Sequence, residues 1–263
     1  MDSELLSYLG NLSIERSLSV IKAEAETTTT TKTTATTTTT DAESIAPTGT
    51  TFALWSTGPV KSFSTTWVVP TKPESNGEFF IYNCIAPPNQ ANALTMLQGL
   101  LHWKKPTDST KCGWTVSSRY SSGKSTTFTD AVEVAEGDTV TAIISLEEYD
   151  RKKFTYKSII SRKKKDENTT EELEKTKLTM CDSAEYTFSV VAYGWSGIKS
   201  VSELPGKDSK LSVSGVSVTV NQDGWVKAQI GQDNYTTKMA VDTPGVSVKS
   251  LDSVASASVT FKW

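Results

Sequence analysis

The chain has 263 residues, with 27 Lys and Arg against 30 Asp and Glu, for a formal net charge of −3. That balance gives no general attraction to nucleic acid or to an anionic membrane surface, so neither is expected as a partner. With one histidine, His102, a His-rich metal centre is excluded, and so is any triad needing another histidine. No apolar run reaches the roughly 18 residues of a spanning helix. The three cysteines, Cys84, Cys112 and Cys181, are too few and too uneven in number to build a disulfide scaffold, and no spacing matches a zinc site. Cys84 and Cys112 either pair or stay as buried thiols. No cofactor or metal is expected.

Residues 1–26 read as an amphipathic segment. Ser3 can cap a short helix whose partial apolar face is Leu5, Leu6, Leu9, Leu12 and Ile14, with Gly10 weakening it. The start lacks a basic region, and Glu15 and Arg16 interrupt its apolar run. No secretory signal is expected, which makes the protein cytoplasmic or already processed. Residues 27–45 form a threonine-rich linker, almost pure threonine over 27–40 apart from Lys32 and Ala35, with nothing large enough to drive a core.

Residues 46–263 have β texture. The run Phe63 to Pro70 is rich in β-branched and aromatic residues and stops at proline, and Glu78 to Cys84 is a second strand. Further strands are expected over 94–103, 113–120, 125–134, 139–148, 153–161, 184–193, 210–221, 224–230 and 254–262. Turn residues such as Glu136-Gly137-Asp138 separate them. With no βαβ rhythm and no repeat, the pattern predicts an all-β fold, an antiparallel two-sheet β-sandwich of the jelly-roll kind. The charged segment 150–177 reads as a solvated hairpin whose bases, Arg162 to Lys165, meet nearby acids.

Two residues in this β context can carry chemistry. Gln98 supplies an amide that both accepts and donates without titrating, and Glu185 supplies a carboxyl. Side by side they would activate a water and hold an oxyanion, or hydrogen-bond a sugar. Strict alternation along 184–190 would put Glu185 with Thr187 and Ser189, opposite Tyr186, Phe188 and Val190.

Leu54-Trp55-Ser56, Thr66-Trp67-Val68-Val69-Pro70, Tyr82-Asn83-Cys84-Ile85-Ala86, Met96-Leu97-Gln98-Gly99 and Ser183-Ala184-Glu185-Tyr186 resemble, in order and spacing, the motifs of the glutamic peptidases, the eqolisin family. The resemblance covers roughly residues 50–263. It implies a concanavalin-A-like sandwich of two curved seven-stranded sheets, with Gln98 and Glu185 as the catalytic glutamine and glutamate of an acid endopeptidase. It also implies secretion. Departures from the pattern are Ala86 for the family's strand aspartate, Tyr82 for its tryptophan, Cys84 for its glycine and His102 for an acid after the glutamine. The runs Leu97 to Trp103 and Trp114 to Tyr120 more closely resemble a related set of microbial sandwich proteins, in which fold is shared without activity following from it.

Tyr82, His102, Trp103, Trp114 and Tyr120 are the candidate substrate-binding residues. The aromatic groups offer a stacking platform, or else fill the core, and His102 offers an acid–base group, or else packs in its strand. Two functions follow: an acid peptidase acting on a polypeptide, or a lectin-like module binding a glycan on the same sandwich.

Overall fold

The computed structural model describes residues 48–56, 59–73, 77–87, 95–104, 113–122, 125–150, 153–183, 185–205, 210–220, 236–241, 247–251 and 257–262. The expected N-terminal segment, the threonine linker, the 224–230 strand and Cys112 lie outside these residues. Among the described residues no helix is long and apolar enough to cross a membrane.

Among the described residues sixteen strands follow in chain order: β1 (Thr48–Ser56), β2 (Val60–Val68), β3 (Glu78–Ala86), β4 (Met96–Trp103), β5 (Trp114–Ser122), β6 (Ser125–Phe128), β7 (Val132–Val134), β8 (Thr139–Asp150), β9 (Lys153–Lys163), β10 (Thr170–Glu172), β11 (Leu178–Asp182), β12 (Phe188–Ser196), β13 (Lys210–Val220), β14 (Thr236–Val241), β15 (Ser247–Leu251) and β16 (Ala257–Lys262). They form two eight-stranded sheets. Sheet A runs β14-β1-β12-β3-β4-β5-β6, with β7 also on β5. Sheet B runs β10-β9-β8-β2-β13-β16-β15, with β11 also on β9. In each sheet two short strands share one edge place, so eight strands fill the seven places that the resemblance implied. The expected antiparallel sandwich is therefore the fold.

Between the sheets lies a continuous apolar core that includes Phe63 and Trp67 of β2, Ile81 of β3, Leu101 of β4, Tyr156 of β9 and Trp195 of β12. The sheets differ in their second face. On β2 and β8 burial alternates, as expected where one face meets solvent. Every residue of β4 is buried, and so are Phe79 to Ala86 of β3. The centre of sheet A is thus shielded from solvent on both faces.

A polar seam crosses the core at that centre. The Asn83 side chain donates from Nδ2 to the Ala142 carbonyl on β8 at 3.1 Å and accepts the Gly99 N–H at Oδ1 at 3.1 Å. Beside it the Ser118 and Ser158 hydroxyls lie 2.8 Å apart, and Ser158 Oγ donates to the Gln98 carbonyl at 3.4 Å. Gly99 permits this approach: a Cβ there would stand 2.6 Å from Ala142 Cβ and 2.9 Å from Asn83 Oδ1. Gly215, at φ +58°, sits in the bulge where β13 changes register against β2.

The chain departs from its sequence pattern in two places that matter. Residues 125–134 form two strands rather than one. Thr129 N still donates to the Ser118 carbonyl at 3.0 Å, but the Ser118 N–H goes to Thr129 Oγ1 at 2.9 Å, so a side chain takes one backbone bond between β6 and β7. Residues 185–187 are not strand, and β12 starts at Phe188. The charged hairpin behaves as expected: Arg162 pairs with Glu171 and Lys164 with Glu167.

Replacing Asn83 by Ala would leave the Ala142 carbonyl and the Gly99 N–H unpaired inside the core. We expect a loss of about 1–3 kcal/mol, seen as a lower urea midpoint at unchanged slope. Thr127→Ala, on an exposed edge strand, should stay within about 0.5 kcal/mol.

Candidate functional site

Alternation along β4 sends Leu97, Leu101 and Trp103 into the inter-sheet core and Gln98, Leu100 and His102 to the opposite, outer face of sheet A. Gln98 is 3% exposed, and its Oε1 has no hydrogen-bond donor among the described residues. The ladder fixes its neighbours. Gln98 pairs with Cys84 on one side and Arg119 on the other. Beyond Cys84 stands Val190, and beyond Arg119 stands Phe128. At this level the outer face therefore reads Val190, Cys84, Gln98, Arg119, Phe128.

Arg119 is 6% exposed. Its Nε donates to Ser121 Oγ at 3.1 Å, and its guanidinium lies 5.5 Å from the centre of the Phe128 ring. Burial lowers the guanidinium pKa from its ordinary value, and the nearby Tyr82 and Cys84 oppose that shift. Cys84 is a free, fully buried thiol whose pKa burial pushes far up, so it is held protonated and unreactive. Tyr82 lies on the same face, one level along, paired with Leu100.

His102 ends this face beside a charged cluster. Glu78 Oε1 lies 3.0 Å from Lys104 Nζ, and its Oε2 lies 3.8 Å from His102 Nε2, which is ion-pair distance when the imidazole is protonated. The Phe80 ring stacks on the imidazole with centroids 4.6 Å apart. Burial alone would raise the Glu78 carboxyl. The neighbouring His102 and Lys104 together outweigh it and hold the carboxyl below its ordinary value.

Glu185 precedes β12, the strand that β3 separates from β4 in sheet A. It is half-buried in the connection between β11 of sheet B and β12 of sheet A. That crossover is pinned from both sides. Tyr186 O accepts the Val60 N–H at 2.8 Å, Thr187 N donates to Ala86 O at 2.9 Å, and Tyr186 N donates to Tyr156 Oη at 3.4 Å. Tyr186 turns inward, stacks on Tyr156 at 5.0 Å and donates to Asp182 Oδ2 at 3.0 Å. Tyr120 also donates to that oxygen, at 3.4 Å. The Tyr156 phenol is raised by burial first, with the charges of Glu185 and Asp182 adding to it and the Tyr186 backbone bond opposing. Glu185 therefore bears on Tyr156 of the inter-sheet core. The residue at Gln98's level on β12 is Val190, five positions along the chain and up to about 16 Å away if extended.

The expected alternation over 184–190 is corrected here. Tyr186 and Ser189 both face the inter-sheet side, because the chain is not strand until Phe188. Two of the expected substrate-binding residues are corrected as well. Trp103 and Trp114 belong to the core, their rings tilted against each other at 5.5 Å, and neither indole N–H has an acceptor. Tyr120 packs against the same core. Tyr82 and His102 do share the Gln98 face. Arg119 escaped the sequence reading altogether. The only signal was its place in a strand whose next residue, Tyr120, is inward-facing, which by alternation sends Arg119 outward.

No family model and no curated protein matches the chain. Among solved structures it is similar to scytalido-glutamic peptidase with a peptide-based transition state analog, at 12% identity and TM-score 0.47, covering 83% of this chain and 98% of that one. It is likewise similar to SCP-B, a member of the eqolisin family of peptidases, in a complex with the tripeptide Ala-Ile-His, at 12% identity and TM-score 0.45, covering 85% of this chain and 100% of that one.

The depressed Glu78 carboxyl gives the site an acid signature. Its contribution to stability is present above the ordinary carboxylate pKa and lost as pH falls through the lower folded value. Urea midpoints measured from about pH 6 to 3 should fall on acidification, and Glu78→Gln should make that fall shallower.

Proposed function

We propose that this chain is a divergent glutamic-peptidase-like sandwich that keeps the Gln98 amide but does not hydrolyse polypeptide efficiently. The observation that carries this reading is the Gln98 amide. It is buried, its Oε1 has no donor among the described residues, and the residue at its own level across β3 is Val190. Water activation needs a carboxyl within one water of that amide, and the apolar Val190 cannot supply one. Val190 and Gln98 flank Cys84 at about 9.6 Å, two strand spacings, so an acid at 190 would reach across and the native valine does not.

The catalytic alternative pairs Gln98 with Glu185. It is favoured by the resemblance of Ser183-Ala184-Glu185-Tyr186 to the family's glutamate motif, and it requires Glu185 to leave the crossover beside Tyr156. The glycan reading loses the platform it needed, because Trp103 and Trp114 fill the core.

Incubation with a denatured protein substrate between about pH 2 and 5 separates these readings. Wild type and Glu185→Gln are expected to be equally poor, and Val190→Glu to gain acid-dependent cleavage. Wild-type cleavage that disappears in Glu185→Gln would overturn the proposal and establish the Gln98–Glu185 dyad.

A further inference from the structure

We propose that Asn168 is the acceptor of an N-linked glycan when the chain is carried through a glycosylating secretory compartment, the route that the glutamic-peptidase resemblance implies. The run Asn168-Thr169-Thr170 has an asparagine with a threonine two places on and no proline between. The same pattern stands at Asn11 and Asn234, which lie outside the described residues. Asn168 itself sits in a bend between β9 and β10, just past a turn closed by the Glu167 N–H donating to the Lys164 carbonyl at 3.1 Å. Every residue from Lys163 to Glu172 is exposed, and the chain re-enters the core at Leu173. Charged side chains around the bend hold each other, Lys164 with Glu167 and Arg162 with Glu171. The Asn168 amide takes no part in these pairs, and among the described residues no hydrogen bond engages it.

The co-reactant is an oligosaccharide carried on a lipid diphosphate. Asn168 Nδ2 forms the bond to the anomeric carbon of the first sugar and gives up one proton to a base of the transferase. The bond from that carbon to the diphosphate oxygen breaks, and its electron pair leaves with the diphosphate. The hydroxyl that a transferase reads beside the acceptor belongs to Thr170, the exposed first residue of β10. Transfer accompanies entry of the chain, so the folded protein must accommodate the product. A glycan on a buried asparagine would block folding, because a large solvated group cannot enter a close-packed interior. At Asn168 it displaces nothing. β10 is the outermost strand beside β9, so a glycan on the bend before it extends past the margin of sheet B into solvent.

The full chain, secreted from a yeast host behind a fused leader, tests this. Treatment with peptide N-glycosidase converts a glycosylated asparagine to aspartate, and tryptic mass spectrometry then reads each site. Cleavage after Lys165 and Lys175 isolates residues 166–175, which hold Asn168 and neither of the other two acceptor patterns. Most copies of this peptide are expected to carry the conversion at position 168. Asn168→Gln should abolish it. Thr170→Ala should abolish it as well, and Thr170→Ser should restore it. Both positions are exposed, so these variants are expected to fold and be secreted like the wild type. A secreted wild-type chain with an unmodified 166–175 peptide would overturn the proposal, whatever is attached at Asn11 or Asn234. Modification that persists undiminished in Thr170→Ala would overturn it too, since the acceptor would then not be read through its threonine.

Discussion

One carboxamide ties the two sheets together at the place where the outer face is organised. Asn83 bonds across the core to the Ala142 carbonyl and, within its own sheet, takes the Gly99 N–H. A buried polar bridge is worth little in net free energy, but its geometry is demanding, because each unmade bond costs the full desolvation of the group left behind. Gly99 is part of the same constraint, since any Cβ there would collide with Ala142. With the neighbouring Ser118–Ser158 contact and the Ser158 bond to the Gln98 carbonyl, the seam fixes the backbone on both sides of Gln98. The orientation of Gln98 on one face is thus set by a lock on the other.

From that lock the composition of the outer row follows without further choice. Antiparallel pairing allows one residue per strand at each level, and a slip of one residue would exchange faces throughout. Val190, Cys84, Gln98, Arg119 and Phe128 stand together because Asn83, Gly99 and Ser118 stand together on the reverse. The row is neutral from Val190 to Gln98 and cationic at Arg119. The carboxylate on this face for which ion pairs are found is Glu78, and it is already engaged by Lys104 and His102 at the far end of β3.

The crossover from β11 to β12 shows how a local motif can be redirected by packing. Ser183-Ala184-Glu185-Tyr186 reads like the start of a strand. Tyr186 instead buries its ring against Tyr156 and hands its hydroxyl to Asp182, while its carbonyl is taken by Val60. Burying an aromatic ring of this size outweighs one or two ladder bonds. The chain therefore turns through residues 185–187 before it pairs with β3, and Glu185 is carried toward the tyrosine cluster.

The sequence by itself determined the class of fold, the order of the central strands and the place of Gln98 within one of them. Strand residues of the Thr66 to Pro70 kind, bounded by turns, leave few other outcomes. It did not determine which face of a strand meets the second sheet. Phe79-Phe80-Ile81-Tyr82 is apolar at every position, and β3 and β4 are buried on both sides, so there was no alternation to read. That is why Trp103 could be placed on either face from sequence. Register, and with it the pairing of Gln98 with Cys84 and Arg119, was decided only by tertiary structure, because it depends on contacts such as Asn83 to Ala142 between residues 59 positions apart.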